Sequence, residues 1–193
     1  MREKRGGAWA QRWRVPLGFM CGAITLLLAR PRVATLIVGG VIALLGLALR
    51  AWSAGHIRKN RELTMTGPYA YTRNPLYLGS LLLGAGFLIA AANPYLVVLF
   101  VVLFAGIYLP VMRVEAGDLT RVFGEDYKAY ARAVPLLIPR LMPYRTASSI
   151  ASATKDAKVG FDKNLYLRYR EYQAAMGLFF ALAILVIKMF YFA

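Results

Sequence analysis

The arrangement of the apolar residues constrains the fold most: they form five long blocks, separated by a short turn or by loops rich in Lys and Arg. A run of roughly 17–25 apolar residues can cross the hydrocarbon core of a bilayer as an α-helix. A helix also satisfies its own backbone hydrogen bonds, which lipid cannot do. We therefore predict an all-α integral membrane protein with one domain, residues 1–193, and about five transmembrane helices. The predicted spans are 15–29, 33–52, 75–92, 95–112 and 176–193.

The first block follows a basic segment and in that respect imitates a signal peptide. It ends in Arg30-Pro31-Arg32 without a small-x-small cleavage site, so we predict an uncleaved span. The second and third blocks carry glycines, which let helices approach closely in a membrane. These glycines are Gly39, Gly40, Gly46, Gly79, Gly84 and Gly86. Lys188 lies near the end of the last block, where its amine is expected to snorkel to the membrane surface.

The basic residues predict the orientation of the spans. Nearly all Lys and Arg lie in the N-terminal segment and in the loops 53–74 and 113–175, whereas residues 92–94 carry none. The positive-inside rule then places the N-terminus and both loops in the cytoplasm and the C-terminus outside. Arg30 and Arg32 are the exception, since they fall on the outer side. The uncharged Asn93-Pro94 turn and the short loops favour a bacterial inner membrane.

Net charge and residue counts narrow the function classes. In a soluble protein, a formal charge of +15 would suggest binding to nucleic acid. In a membrane protein, the basic loops are expected to face anionic lipid headgroups instead. No nucleic-acid partner is therefore predicted. Cys21 is the only cysteine and His56 the only histidine. An intramolecular disulfide and a cysteine metal cluster are therefore excluded, and no metal site is predicted. No oligomeric state follows from the sequence.

The long loop 113–175 contains two helical patterns and a connector. Residues 114–131 are polar with an apolar stripe, which is typical of an amphipathic helix at the membrane interface. Residues 146–160 are rich in Ala, Ser, Thr and Lys and are predicted to be a flexible connector. A second stripe, at intervals of four, four, three and four, predicts a helix that continues into the last span. The members of this stripe are Phe161, Leu165, Tyr169, Tyr172 and Met176.

The first segment with chemical potential is Thr-Gly-Pro-Tyr-Ala-Tyr-Thr-Arg-Asn-Pro-Leu-Tyr-Leu-Gly, residues 66–79. Asn74 and Pro75 predict a helix start, with Asn as the N-cap and Pro at the first helical position. The helix N-terminus suits an anion, and Arg73 adds a bidentate partner for it. Tyr77 lies in the first turn, where its ring could face a cofactor. The alternative is that these residues only end one helix and start another, with the tyrosines forming an interfacial belt.

The second segment runs from Arg113 to Pro135. Glu115 follows directly on the fourth span, where an unpaired carboxylate is costly, so we expect a cationic partner: Arg113, Arg73 or a bound sulfonium. The alternative is a surface helix with solvated charges. His56, which precedes the first segment, is a candidate base, although a single interfacial histidine is more often a hydrogen-bonding group.

These two segments, separated by a hydrophobic hairpin, resemble the isoprenylcysteine carboxyl methyltransferase and phospholipid methyltransferase superfamily. Its first motif reads roughly Gly-Pro-Tyr-x-Tyr-x-Arg-His-Pro-x-Tyr-x-Gly. Its second reads Glu-Glu-x-x-Leu-x-x-x-Phe-Gly-x-x-Tyr-x-x-Tyr, followed by Val-Pro. Both match in register, and the resemblance covers about residues 48–139. Asn74 stands where the family usually has His, and Ala116 stands where it has the second Glu.

The resemblance implies a helical membrane enzyme that binds S-adenosylmethionine without a Rossmann domain, and the chain has no glycine fingerprint between a strand and a helix. Carried over by position, the implied cofactor-binding residues are Gly67, Tyr69, Arg73, Asn74, Pro75, Tyr77, Gly79 and Glu115. The candidate catalytic residues are Glu115, Arg113 as an orienting group for the substrate, and His56.

The function that follows is methyl transfer to a lipid or a prenylated small molecule or peptide, best represented by an isoprenylcysteine-like carboxylate. A carboxylate needs no general base, whereas an amine must first lose a proton, and few bases are present. The alternatives are a phospholipid amine N-methyltransferase, a sterol-reductase-like NADPH enzyme and a non-catalytic membrane protein.

Overall fold

The computed structural model describes residues 3–57, 62–145 and 161–191, with side chains described from residue 16 onward. Within these residues the regular structure is helical and no strand occurs, which confirms the all-α prediction. The α-helices are α1 Glu3–Leu28, α2 Val33–Ala54, α3 Pro75–Ala90, α4 Pro94–Ala133, α5 Lys163–Arg168 and α6 Tyr172–Tyr191. A 3₁₀ turn, Gly67–Ala70, precedes α3. The predicted connector 146–160 lies outside the described residues.

Within the described residues, three helices are long and apolar enough to cross a membrane: α2, α4 and α6. Two shorter apolar segments, Pro16–Leu28 and Pro75–Ala90, coincide with the first and third predicted spans. Many apolar side chains of these helices point outward, including Phe19, Val102 and Phe180. Broad exposed apolar surface marks a membrane-facing protein. The chain is therefore a membrane protein.

Small residues let α2 and α3 pack with their backbones close together, as predicted. A Cβ added to Gly39 would lie 2.3 Å from the amide nitrogen of Ala90, and one added to Gly86 would lie 2.3 Å from that of Ala43. Only glycine fits at such contacts, which in a membrane supply the packing between helices. Gly40, in contrast, has no atom within 4 Å of an added Cβ and takes no part in this interface.

Helix α4 joins the fourth predicted span to the predicted interfacial helix. We expected the span to end near Met112, but the helix continues without interruption past Arg113. No proline lies between Arg113 and Phe123, and an existing helix extends readily because each added residue gains a hydrogen bond. The break comes at Gly124, with φ 55°, a conformation that glycine adopts at little cost.

The second predicted helical stripe is interrupted, so the prediction of one continuous helix was wrong. Helix α5 ends at Arg168, and Arg170 takes a positive φ of 54° before α6 begins. This turn directs Glu171 into the protein, where its two carboxylate oxygens accept hydrogen bonds of 2.9 Å from Nε and Nη2 of Arg50. A positive φ is unfavourable for arginine, and the buried ion pair holds the chain in it.

The end of the helix bundle opposite the two motifs is closed by backbone contacts between its turns. The Arg30 amide donates to the Ala91 carbonyl at 2.9 Å. At the same end, Nζ of Lys188 donates to the carbonyls of Leu26 at 2.9 Å and Leu27 at 2.6 Å. These carbonyls belong to the last turn of α1, where the helix dipole favours a positive charge.

Candidate active site

The first motif is held by the segment that follows the second motif. The Arg73 amide donates to the Pro135 carbonyl at 2.9 Å, and the amide of Tyr144 donates to Ala70 at 2.8 Å. Arg140 likewise donates from its amide to the Tyr71 carbonyl at 3.0 Å. Residues 135–144 thus run beside the first motif and fix its backbone. The sequence contained no signal for this pairing.

Asn74 is part of the same connection. It occupies the N-cap position of α3, as predicted, but its side chain makes no capping bond. Instead, Nδ2 donates to the Leu136 carbonyl at 3.0 Å. This contact needs an N–H donor and no titration, so an amide suffices at the position where the family pattern has His. Pro75, buried at the first helical position, starts the helix as predicted.

Tyr77 and Glu115 bring the two motifs together. The Tyr77 hydroxyl donates to Glu115 Oε1 at 2.8 Å. The Tyr77 ring packs edge-on against Tyr108, with centroids 5.3 Å apart, and Tyr108 stacks on Phe104 at 4.4 Å. Neither Arg113 nor Arg73 pairs with Glu115, since no ion pair found among residues 16–57, 62–145 and 161–191 includes it. A bound sulfonium as its cationic partner stays a prediction.

Tyr69 and Arg73 each contribute a buried hydrogen-bonding group that has no partner within the described residues. Tyr69 is 7% exposed, and its hydroxyl makes no hydrogen bond within the described part of the chain. Nε of Arg73 is also buried there without a partner. Burial raises the pKa of Tyr69 well above its ordinary value, and Tyr130 and Glu115 raise it further. Tyr69 therefore keeps its proton and remains a donor.

Tyr130 supports Tyr69 from the second motif. Its hydroxyl donates to the Tyr69 carbonyl at 2.7 Å, a bond that is fully buried. Burial also raises the pKa of Tyr130, so this donor stays protonated at neutral pH. Tyr130 packs with Tyr127 and Val134 in a cluster that includes the half-buried Ala116. The second tyrosine of the Tyr-x-x-Tyr pattern thus stabilises the backbone of the first motif.

His56 lies against Gly67, the glycine that starts the first motif. An added Cβ on Gly67, whose φ is +58°, would lie 2.7 Å from His56 Nε2. Nδ1 of His56 is 2.9 Å from the Trp52 carbonyl, which requires the proton on Nδ1 and leaves Nε2 as the acceptor in the neutral ring. His56 is thus a hydrogen-bonded ring against the motif, and its role as a base stays a prediction.

Gly79 and Arg113 lie apart from the Tyr77–Glu115 contact. A Cβ on Gly79 would lie 2.7 Å from Cγ of Arg50, so this glycine makes room for the packing of α2 on α3. Arg113 is exposed on α4. The predicted roles of both residues in cofactor or substrate binding stay predictions.

Arg50 and Glu171 are site-supporting residues that the sequence analysis missed. Arg50 lies near the end of an apolar span, and its guanidinium also donates to Ser80 on α3. A charged residue at such a position is expected to have a partner, so the sequence could have indicated that Arg50 is paired. It could not identify Glu171 as the partner, because that depends on the path of the chain.

A cleft of about 400 Å³ opens between the two motifs. Its lining contains three basic side chains and no carboxylate. The lining residues are Arg73, Ala116, Gly117, Thr120, Tyr127, Lys128, Ala131 and Arg132. No group of three or more His, Cys, Asp or Glu side chains suited to a metal ion lies within the described part of the chain.

Comparison with known proteins gives one family and two similar relatives. Residues 34–126 match the phospholipid methyltransferase family. The chain is 35% identical over 114 residues to the cobalt-zinc-cadmium resistance protein CzcN of Cupriavidus metallidurans, covering 56% of this chain and 52% of that protein. It is 36% identical over 102 residues to the nickel-cobalt-cadmium resistance protein NccN of Alcaligenes xylosoxydans xylosoxydans, covering 52% and 47%.

The chain spans about half the length of these curated relatives. No solved structure matches it. The matched family region contains the first motif, the Tyr77–Glu115 contact and most of the second motif. The resemblance carried by the two motifs is thereby confirmed: residues 34–126 match the phospholipid methyltransferase family, which is part of the superfamily of integral membrane methyltransferases.

Proposed function

We propose that this chain transfers a methyl group from S-adenosylmethionine to a lipophilic acceptor at the membrane surface, on the cytoplasmic side. The Tyr77–Glu115 hydrogen bond of 2.8 Å carries this proposal. It joins the two motifs of a methyltransferase family through a tyrosine and a carboxylate separated by 38 residues. Two of the predicted cofactor residues, one from each motif, are therefore in direct contact.

The side chains at this place fit the cofactor's charges. S-adenosylmethionine, when bound, supplies a methyl group that its sulfonium has already activated. Glu115 offers a carboxylate for a positive charge, and Tyr69 and Arg73 offer buried donors that have no partner within the described residues. Such donors lower the stability of a protein unless a ligand satisfies them. S-adenosylmethionine carries a carboxylate, which can accept from these donors, and a cationic centre, which the Glu115 carboxylate can stabilise.

The chain's own contribution is to position the reacting groups. Tyr77 holds the Glu115 carboxylate in one orientation, and the Tyr108 and Phe104 rings hold Tyr77. Alignment of reacting groups contributes about 7–11 kcal/mol in favourable cases. This supports an acceptor that is already nucleophilic, so we favour O-methylation of an isoprenylcysteine-like carboxylate.

N-methylation of a phospholipid amine remains the alternative within the same chemistry. An amine must lose a proton before it can attack, which would require a base. Glu115 and His56 are the candidates, and both already make hydrogen bonds, to Tyr77 and Trp52 respectively. These contacts favour roles in positioning, and thus support the carboxylate acceptor.

The test is calorimetric titration of the purified protein in detergent with S-adenosylmethionine. We expect Arg73→Ala and Glu115→Ala each to weaken binding or turnover by about tenfold or more, because charge-assisted hydrogen bonds are lost. Arg121→Ala is the matched control, since Arg121 is exposed and pairs only with Asp118 at 3.3 Å in the described contacts. Unchanged binding in both site variants would contradict the site assignment.

Titrations with NADPH and with Co²⁺ or Zn²⁺ test two alternative functions, a reductase and a metal-binding protein. A reductase would bind NADPH, and a protein that handles metal directly, as the names of the two metal-resistance relatives suggest, would bind the ion. We expect neither ligand to compete with S-adenosylmethionine. A folded sample that binds NADPH or metal and no S-adenosylmethionine would overturn the proposed function.

A further inference from the structure

The end of the helix bundle opposite the two motifs carries a second cleft, of about 430 Å³. It lies where the turn between α1 and α2 meets the turn between α3 and α4. We propose that this cleft binds one anionic phospholipid, with the lipid phosphate on Arg30 and Arg32 and an acyl chain along the apolar part of the lining. The lipid is a bound structural ligand and not the methyl acceptor, so the proposal does not rest on the proposed methyl transfer.

The two arginines of this cleft have no acidic side chain near them in the sequence. Arg30 and Arg32 flank Pro31, and both side chains are exposed. All nine Asp and Glu residues lie either at position 3 or in the loops 53–74 and 113–175. Neither arginine forms an ion pair within the described part of the chain. The two guanidinium groups are therefore available to an anion from outside the chain.

The donors of the cleft suit a phosphate without an amine. The planar guanidinium of arginine matches phosphate oxygens. Asn93 also lines the cleft, and its Oδ1 accepts from the amides of Tyr95 at 3.2 Å and Leu96 at 3.4 Å, so its Nδ2 is the group left to donate. None of the described residues in the lining is acidic. A phosphatidylglycerol headgroup satisfies such donors, whereas the ammonium of phosphatidylethanolamine would meet only like charges.

The remainder of the lining is largely apolar, which favours a lipid over a soluble anion. Leu88 of α3 and Val97 of α4 belong to this part. Val101 lies one turn beyond Val97 and is 51% exposed, and Val38 lies one turn beyond the lining residue Thr35 of α2 and is 53% exposed. Residues one turn apart share a helix face. Apolar surface therefore continues from the cleft along both helices, where an acyl chain can lie.

The two turns that form the cleft are held together by hydrogen bonds. The Arg30 amide donates to the Ala91 carbonyl at 2.9 Å, and the Thr35 hydroxyl donates to the Ala90 carbonyl at 3.4 Å. A site that is ordered before binding loses less entropy when its ligand arrives. The arginine pair is also the exception to the positive-inside distribution of this chain. Binding of an anionic lipid gives the two charges a role at that end of the bundle.

The test is a titration of delipidated, detergent-solubilised protein with dioleoylphosphatidylglycerol and with dioleoylphosphatidylethanolamine, in which native mass spectrometry counts the lipids bound per chain. We expect phosphatidylglycerol to bind about tenfold more tightly, because charge-assisted hydrogen bonds form with the arginines. Arg30→Gln combined with Arg32→Gln should remove this preference. Arg121→Gln combined with Arg145→Gln takes two charges from exposed positions elsewhere and should leave it unchanged.

A second pair of variants tests the shape of the cleft apart from its charge. Val97→Trp fills the apolar part and should weaken phosphatidylglycerol binding about tenfold, because the acyl chain loses its buried contact. Val98→Trp is the matched control, since Val98 is 65% exposed and does not line the cleft. Its lipid affinity should stay within about twofold of wild type, as for other surface substitutions. Melting temperatures in detergent without added lipid show whether the variants are folded.

Three results would overturn the proposal: equal affinity of the wild-type chain for the two lipids, an unchanged preference in the Arg30 and Arg32 double variant, or equal effects of the two Trp variants. Glycerol 3-phosphate, which carries the anion without acyl chains, is the soluble competitor. We expect it not to displace phosphatidylglycerol at equal concentration. Displacement would mean that the cleft holds a water-soluble anion, and the lipid site would then be wrong.

Discussion

Arg50 and Glu171 form a bidentate ion pair across 121 residues of sequence, with two nitrogen–oxygen distances of 2.9 Å. The pair fastens the junction between α5 and α6 to α2, and the further bond from Arg50 to Ser80 includes α3. Arg50 also covers Gly79 at the end of the first motif. This network therefore sets the position of the C-terminal helix relative to the candidate site.

Removing Glu171 should destabilise the protein strongly. Glu171→Ala leaves the guanidinium of Arg50, only 20% exposed as a side chain, without its carboxylate, and an uncompensated buried charge costs about 3–5 kcal/mol. Thermal unfolding in detergent measures the loss. Glu125→Ala is the control, because the Glu125–Lys128 pair is exposed and should change the melting temperature little. Equal melting temperatures for both variants would contradict the structural role.

Tyr69→Phe should separate ligand binding from stability. The Tyr69 hydroxyl is buried without a partner within the described residues, so its removal should leave the free energy of unfolding unchanged or slightly higher. If the hydroxyl binds the cofactor, S-adenosylmethionine affinity should fall by about three- to tenfold, the equivalent of one hydrogen bond.

Tyr130→Phe is the matched comparison for that variant. It removes a buried bond to the Tyr69 carbonyl and should lower stability by about 1 kcal/mol or more. Chemical unfolding and calorimetry measure the two effects in each variant. A Tyr69→Phe protein that is destabilised and binds cofactor normally would count against Tyr69 as a ligand-binding group.

Asn74 variants should test whether this position needs a donor. Asn74→Asp places carboxylate oxygens against the Leu136 carbonyl, which accepts the present bond of 3.0 Å. We expect a loss of about 1–3 kcal/mol of stability, since an acceptor then faces an acceptor in a half-buried site. Asn74→His restores an N–H donor and should be close to wild type in the melting temperature. The idea fails if the Asp and His variants melt together.

Two neighbouring glycines should respond differently to substitution by alanine. Gly39→Ala would place a Cβ 2.3 Å from the backbone of Ala90 and force α2 away from α3, with an expected loss of about 1–3 kcal/mol. Gly40→Ala meets no atom within 4 Å and should be neutral or slightly stabilising. Denaturant or thermal unfolding of both variants measures the difference, and similar losses would argue against the close helix contact.

Much of the architecture followed from local patterns. The apolar blocks predicted the helices, and the glycines at Gly39 and Gly86 predicted close packing. The resemblance implied that Tyr77 and Glu115 belong to one cofactor site, and the structure brings their side chains into contact. Each of these inferences uses hydrophobicity, backbone freedom or register, which neighbouring residues largely determine.

Other features depended on residues far apart in the chain. The sequence predicted a helix break near Arg113, but the helix continues to Gly124. The sequence also predicted a continuous helix through Arg170, but the chain turns at that residue. At Arg170 a distant contact decided the outcome, since Glu171 must reach Arg50. Asn74 likewise donates to Leu136 and does not cap α3, because the segment 135–144 lies beside it.

By itself the sequence determined a helical membrane protein that carries the two motifs of a methyltransferase superfamily, since composition, helix-length blocks and motif register are local properties. Only the tertiary structure decided which groups meet. It provided Tyr77 as the partner of Glu115, gave Arg50 to Glu171, and opened a cleft beside Ala116. The reason is physical: burial leaves polar groups to find partners within the protein, and the chain path decides which distant groups are within reach.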